Sequence, residues 1–220
     1  LTSITIPTSV NTISGGAFAS TAITTIFIPT TVNIINFMTF SYCTSLISII
    51  IPTSINTIDS WAFFSCFSLV SVTIPTSVIV INEYAFVDCT SLITIVIPTS
   101  VNFIGEKAFH ACFALTSASI PTSVTSIGYQ AFAHCTSLTC IVIAGSPSMD
   151  GTAFEGDPPF FLFPPRSLNS AEVLPFGSWE AWPTNKFKNK IRTKILLSSK
   201  ASKQPKPDYP IKTLVGGMQH

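Results

Sequence analysis

One phrase of about 23 residues recurs along the first two-thirds of this chain, and its period constrains the fold more than any other feature. Prolines fall at Pro7, Pro29, Pro52, Pro75, Pro98 and Pro121, and phenylalanines at Phe18, Phe40, Phe63, Phe86, Phe109 and Phe132. Cysteines keep the same step at Cys43, Cys66, Cys89, Cys112 and Cys135. Three residue types in one register over five or more copies exclude coincidence. The common phrase is L-x-x-I-x-I-P-T-S-V-x-x-I-x-x-x-A-F-x-x-C-x-x.

Each part of the phrase predicts a local structure. In Leu92–Ile97, Ile95 and Ile97 alternate with period two, as a strand with one buried face requires. Pro98 lacks an N–H and stops that strand. Thr99 and Ser100 make a corner, and Val101 and Ile104 turn inward along a second, shorter extended segment. Gly105 and its equivalents Ser14, Asn36, Asp59, Asn82 and Gly128 are turn formers. Ala108, Phe109 and Cys112 stand at i, i+1 and i+4, which predicts one face of a single helical turn. A lone coil of this size buries too little apolar surface to offset the entropy of ordering it, so the coils must stack and share their buried faces.

The phrase resembles the BspA-like leucine-rich repeat. Leu92, Ile95, Ile97, Pro98, Val101, Ile104, Ala108, Phe109 and Cys112 fall on that family's pattern, and the resemblance covers about Leu1 to Phe154. It implies an α/β repeat solenoid with about 23 residues per rung. One side would be a parallel β-strand face, and short β and helical-turn segments would form the others. It also implies a setting at a cell surface or in secretion, in proteins that bind other molecules. The pattern decays after Leu138–Ile143: Ala144 replaces Pro, Pro147 replaces Val, and Asp157 stands where Cys would be. Residues 1–155 are therefore expected to form the solenoid. The chain opens at Leu1 in mid-phrase, which reads as a fragment of something longer, so the absence of a signal peptide carries little weight.

Chemistry is not expected. The stacked cysteines read as reduced, buried thiols behaving as small hydrophobes. His110 and His134 occupy different columns and flank Cys112 and Cys135 without joining them, so no metal site is expected. Asp59, Glu83, Asp88 and Glu106 sit on turns of separate rungs, where a solvated capping role is the ordinary one. No nucleophilic triad, phosphate loop or cofactor motif appears, and no enzyme activity is expected.

Recognition is the expected function. Three columns of each strand are predicted to point outward. One is nearly all hydroxyl: Ser3, Thr25, Ser48, Ser71, Thr94, Ser117 and then Cys140. The next is Thr5, Phe27, Ile50, Thr73, Val96, Ser119 and Val142, and the third is the proline row. Phe27, Ile50 and Val96 are candidate anchors set among Ser48, Ser71, Thr73, Thr94, Ser117 and Ser119, a surface suited to a neutral protein or glycan partner. Such a partner points to adhesion at a cell surface. Strand propensity alone predicts the same composition, so a spacer without its own partner is the rival reading. A lattice-like ice-binding surface is spoiled by the apolar anchors. From Leu1 to Met149 only five residues are charged, which excludes nucleic acid as a partner of the solenoid.

The remainder is a different kind of sequence. Residues 156–183, with Asp157–Pro165 reading DPPFFLFPP, are expected to cover the last rung. Residues 184–220 form a basic tail, in which Lys186, Lys188, Lys190, Arg192 and Lys194 are candidates for contact with an anionic surface. A solvated, largely disordered tail is the plainer expectation for such a charge run.

Overall fold

A computed structural model of the protein describes residues 3–157 and, as backbone, residues 161–163. They form a parallel β-solenoid. The front strands are β1 (Ser3–Thr5), β2 (Thr25–Phe27), β4 (Ser48–Ile50), β6 (Ser71–Thr73), β8 (Thr94–Val96), β10 (Ser117–Ile120), β12 (Cys140–Ile143) and β14 (Phe161–Phe163). The second side carries β3 (Ile34–Ile35), β5 (Thr57–Ile58), β7 (Val80–Ile81), β9 (Phe103–Ile104), β11 (Ser126–Ile127) and β13 (Ser148–Met149). The predicted register holds, with Ser48 opposite Ser71 and Ser117 opposite Cys140.

The second-side strands make one six-stranded sheet, whereas the front splits into two sheets of four, β1-β2-β4-β6 and β8-β10-β12-β14. The front ladder is therefore not continuous from rung to rung. At the break the backbone bond lies just before the strands, where the Ile93 N–H donates to the Val70 carbonyl at 3.2 Å. Part of the segment expected to cover the end supplies β14, which pairs in parallel with β12.

The α/β description needs correction, because no helix occurs among the described residues. The A-F-x-x-C segment is a chain of tight turns whose amides alternate between two partners. Thr39, Ser41 and Cys43 donate back to Asn36, Met38 and Phe40, while Met38, Phe40 and Tyr42 donate to Ser60, Ala62 and Phe64 of the next rung. A helix would aim every N–H along its own axis and lose that second set. The cost is backbone strain: Met38 and Tyr42 have φ of 55° and 58°, and Trp61, Ser65, Tyr84, Asp88, Lys107, Ala111, Gln130 and His134 repeat the pair in later rungs. A left-handed conformation costs a non-glycine residue about 1 kcal/mol, which the bond to the next rung offsets.

The core follows the repeat. Phe40, Phe63, Phe86, Phe109 and Phe132 are fully buried and stack ring on ring, with centroids 4.9–5.3 Å apart. The corner serines stitch rungs together: Ser54, Ser77 and Ser100 donate to the carbonyls of Val32, Ile55 and Val78 at 2.5–2.6 Å. At Gly105 a Cβ would fall 2.5 Å from the Glu83 nitrogen, so that turn closes on its neighbour only as glycine.

Candidate functional site

The strands place alternate side chains on opposite faces, and the two predicted outward columns are where they were expected. Ser48, Ser71, Thr73, Thr94 and Ser119 are exposed and Ser117 is half-buried. Phe27, Ile50 and Val96 are 55%, 71% and 69% exposed, large values for apolar side chains. Phe27 pairs directly with Ile50, so two anchors are neighbours across one rung. The proline row is not an outward column. Pro29, Pro75 and Pro98 are buried and Pro52 and Pro121 half-buried, and only Pro7 of the six is exposed.

The leading corner of the same side adds anchors that the strand columns omit. Ile47, Val70 and Ile93 are exposed immediately before β4, β6 and β8, and their backbones are hydrogen-bonded in file. Phe67 and Phe113 are also exposed, one residue after Cys66 and Cys112. The step of 23 marks Ile47, Val70 and Ile93 as a column as clearly as it marks Phe63 and Phe86. None of the front strands carries a charged residue.

The turn side carries a second feature that sequence reasoning missed. Trp61, Tyr84 and Lys107 occupy one column at the 23-residue step. The Trp61 and Tyr84 rings stack 4.4 Å apart, and the Lys107 ammonium lies 5.7 Å from both the Tyr84 and Tyr129 rings. Its carboxylates are not merely solvated. Ser60 donates to Glu83 at 2.9 Å, Tyr84 to Glu106 at 2.6 Å and Asn82 to Asp59 at 3.1 Å, each reaching across one rung. The faces of Trp61 and Tyr84 cover one another, so this column reads as a rung-to-rung clamp.

The cysteines are free and five of the six are fully buried. Each column thiol donates to the carbonyl of a phenylalanine one rung back, from 3.0 Å for Cys43 to 3.3 Å for Cys112. Burial pushes the Cys89 and Cys135 thiols well up, and neighbouring cysteines add to it. His110 and His134, one column apart, meet edge to face at 5.2 Å. The His110 Nδ1 is buried without a hydrogen-bond partner, and burial, with His134 and Lys107 nearby, lowers that imidazole to about 4. Among the described residues no three His, Cys, Asp or Glu side chains converge as metal ligands. Lys186, Lys188, Lys190, Arg192 and Lys194 lie outside the described residues.

Solved structures share this geometry. A leucine rich repeat protein from T. pallidum, TpLRR, is 28% identical with a TM-score of 0.61, over 64% of this chain and 71% of that one. A leucine rich cell surface protein from Faecalibacterium prausnitzii A2-165 is 29% identical with a TM-score of 0.56, over 66% of this chain. A leucine-rich repeat protein from Bacteroides ovatus ATCC 8483, at 24% identity and a TM-score of 0.61, shares the fold over 74% of this chain. The chain spans 48% and 44% of the length of those last two proteins. No curated protein matches it. A family model of the BspA type leucine rich repeat region matches residues 1–89 and 62–157, with six copies. With that match over most of its length, the repeat phrase and the stacked rungs, the chain belongs to the BspA type leucine rich repeat family.

Proposed function

We propose that the chain is a non-enzymatic binding module whose front side takes an uncharged protein surface. One observation carries this reading: Phe27, Ile47, Ile50, Val70, Ile93 and Val96 are all exposed on the front strands or immediately before them. Soluble proteins seldom leave so many large apolar side chains together on one side without a use for them. Between the apolar rows runs a file of small hydroxyls, Ser48, Ser71 and Thr94, which lets a partner approach closely and hydrogen-bond without meeting a fixed charge. The branched aliphatic anchors favour a protein over a glycan, since the front columns offer hydroxyls but no carboxylate or amide to read a sugar. A cell-surface setting is that of the F. prausnitzii neighbour, and adhesion is the role such a setting suggests for this side.

The test is capture of partners from a surface or matrix extract by the parent and by the Ile50→Lys, Val96→Lys double variant. Both positions are exposed, so the fold is expected to survive the changes. Partners held by the parent in high salt and lost by the variant support the front side. Equal capture by both, or none by either, favours the spacer reading.

A further inference from the structure

We propose that Asp157 is an acid-tightened latch on the last rung: as a carboxylic acid it donates its O–H to the Phe132 carbonyl, in the slot that cysteine thiols fill in the rungs before it, and as a carboxylate it draws the rung open toward water.

The register assigns the slot. Ala131, Phe132 and Cys135 are followed one rung later by Ala153, Phe154 and Asp157. The Phe154 ring stacks on Phe132 at 5.4 Å. The Phe132 and His134 N–H groups donate to Ala153 and Glu155 at 2.8 and 2.7 Å, so this rung still follows the repeat. In the shorter first rung the Cys43 thiol reaches the Phe18 carbonyl, 25 residues back, at 3.0 Å. Asp157 stands the same number of residues after Phe132.

The surroundings favour the acid form. Both carboxyl oxygens of Asp157 are buried and neither has a hydrogen-bond partner. A charge left so is costly, whereas a protonated acid can donate as the thiols do. Burial pushes this carboxyl up to about 7, and the nearby Cys135 N–H offsets only part of that without forming a bond of good geometry. The titratable groups around it are the Cys135 thiol in the column, Glu155 of its own turn, exposed, and His134, whose ring lies where a side chain on Gly156 would be. None of them hydrogen-bonds the carboxyl.

The closed rung therefore holds a proton that an open rung, with Asp157 in water, releases near pH 4. Closure is tightest below about pH 4, weakens as pH rises toward 7, and is level above that.

The test is hydrogen exchange at the Phe132 and His134 amides from pH 4 to 9, corrected for the intrinsic rate. In the parent protein, protection falls by up to tenfold per pH unit between 4 and 7 and then levels. Asp157→Asn and Asp157→Cys, the second restoring the residue of the preceding rungs, show no such fall. A flat parent profile, or the same fall in both variants, overturns the latch. The carboxyl ¹³C shift of Asp157 in the parent decides the matter even if a variant fails to fold: a midpoint near 7 supports the latch, and one in the ordinary carboxylate range overturns it.

Discussion

The Sγ of Cys89 lies 3.2 Å from the carbonyl oxygen of Phe63, one rung back, and donates to it. The same bond joins Cys66 to Phe40 and Cys135 to Phe109. The column is thus more than small apolar filling, since each thiol satisfies a carbonyl that would otherwise keep a lone pair idle. Burial also holds these thiols in the unreactive protonated form. Of the six cysteines, only Cys140, half-buried on the front face, is expected to react promptly with a thiol reagent in the native state. Mass spectrometry after a short pulse checks this. Prompt labelling of two or more column cysteines would put the column at the surface.

Phe86 is fully buried between the rings of Phe63 and Phe109, 4.9 and 5.2 Å away. Phe86→Ala leaves a cavity in the middle of the ladder and is expected to cost about 3–5 kcal/mol. Denaturant unfolding of parent and variant measures it. A midpoint that barely moves would contradict the stacked register.

Gln130 has a φ of 50° and its side chain makes only an exposed bond to Glu155. Glycine adopts that conformation without steric cost, so Gln130→Gly is expected to leave stability unchanged or raise it by about 1 kcal/mol. In a helical turn the same change would lower stability by about 1 kcal/mol. The sign of the shift in unfolding free energy separates the two.

That contrast shows where the sequence was legible. Phe63, Phe86 and Phe109 could be placed in a column because one residue type returns at a fixed step. Ala108, Phe109 and Cys112 were placed on one face correctly, yet their spacing fits a helical turn and a run of tight turns equally well. Left-handed backbone is usually flagged by glycine, and here Met38, Trp61, Tyr84 and Lys107 adopt it with nothing in their chemistry to mark them. The same variety hid the Trp61–Tyr84–Lys107 clamp, whose members share a step of 23 but no residue type. The front columns were found from alternation within the strand, which does not reach Ile47, Val70 and Ile93 at the corner.

His110 occupies the place held by Phe64 and Val87 in the two rungs before it. Its imidazole is lowered by burial, so the native state resists protonation that the unfolded chain accepts near pH 6.5. Stability is therefore lost as pH falls from about 6.5 to about 4. His110→Val also removes the unpartnered Nδ1 and is expected to stabilise the protein by on the order of 1 kcal/mol at pH 7. Its advantage over the parent grows on acidification. Thermal unfolding at pH 7 and pH 5 compares them, and an advantage that shrinks at pH 5 would contradict the burial of this ring.

The central claim is that recognition belongs to the front side, and the turn side supplies the control. Once a partner has been captured, its Kd is measured for the parent, for Ile50→Lys with Val96→Lys, and for Tyr42→Lys with Tyr129→Lys. Tyr42 and Tyr129 are exposed on the turn side, so the second double variant adds the same two charges away from the front. Loss of two anchors at about 1–2 kcal/mol each, with two ammonium groups to desolvate, predicts a weakening of at least about 100-fold for the front variant. The turn-side variant is expected to bind within about threefold of the parent. A front variant that binds as the parent does, or a loss confined to the turn-side variant, would contradict the account.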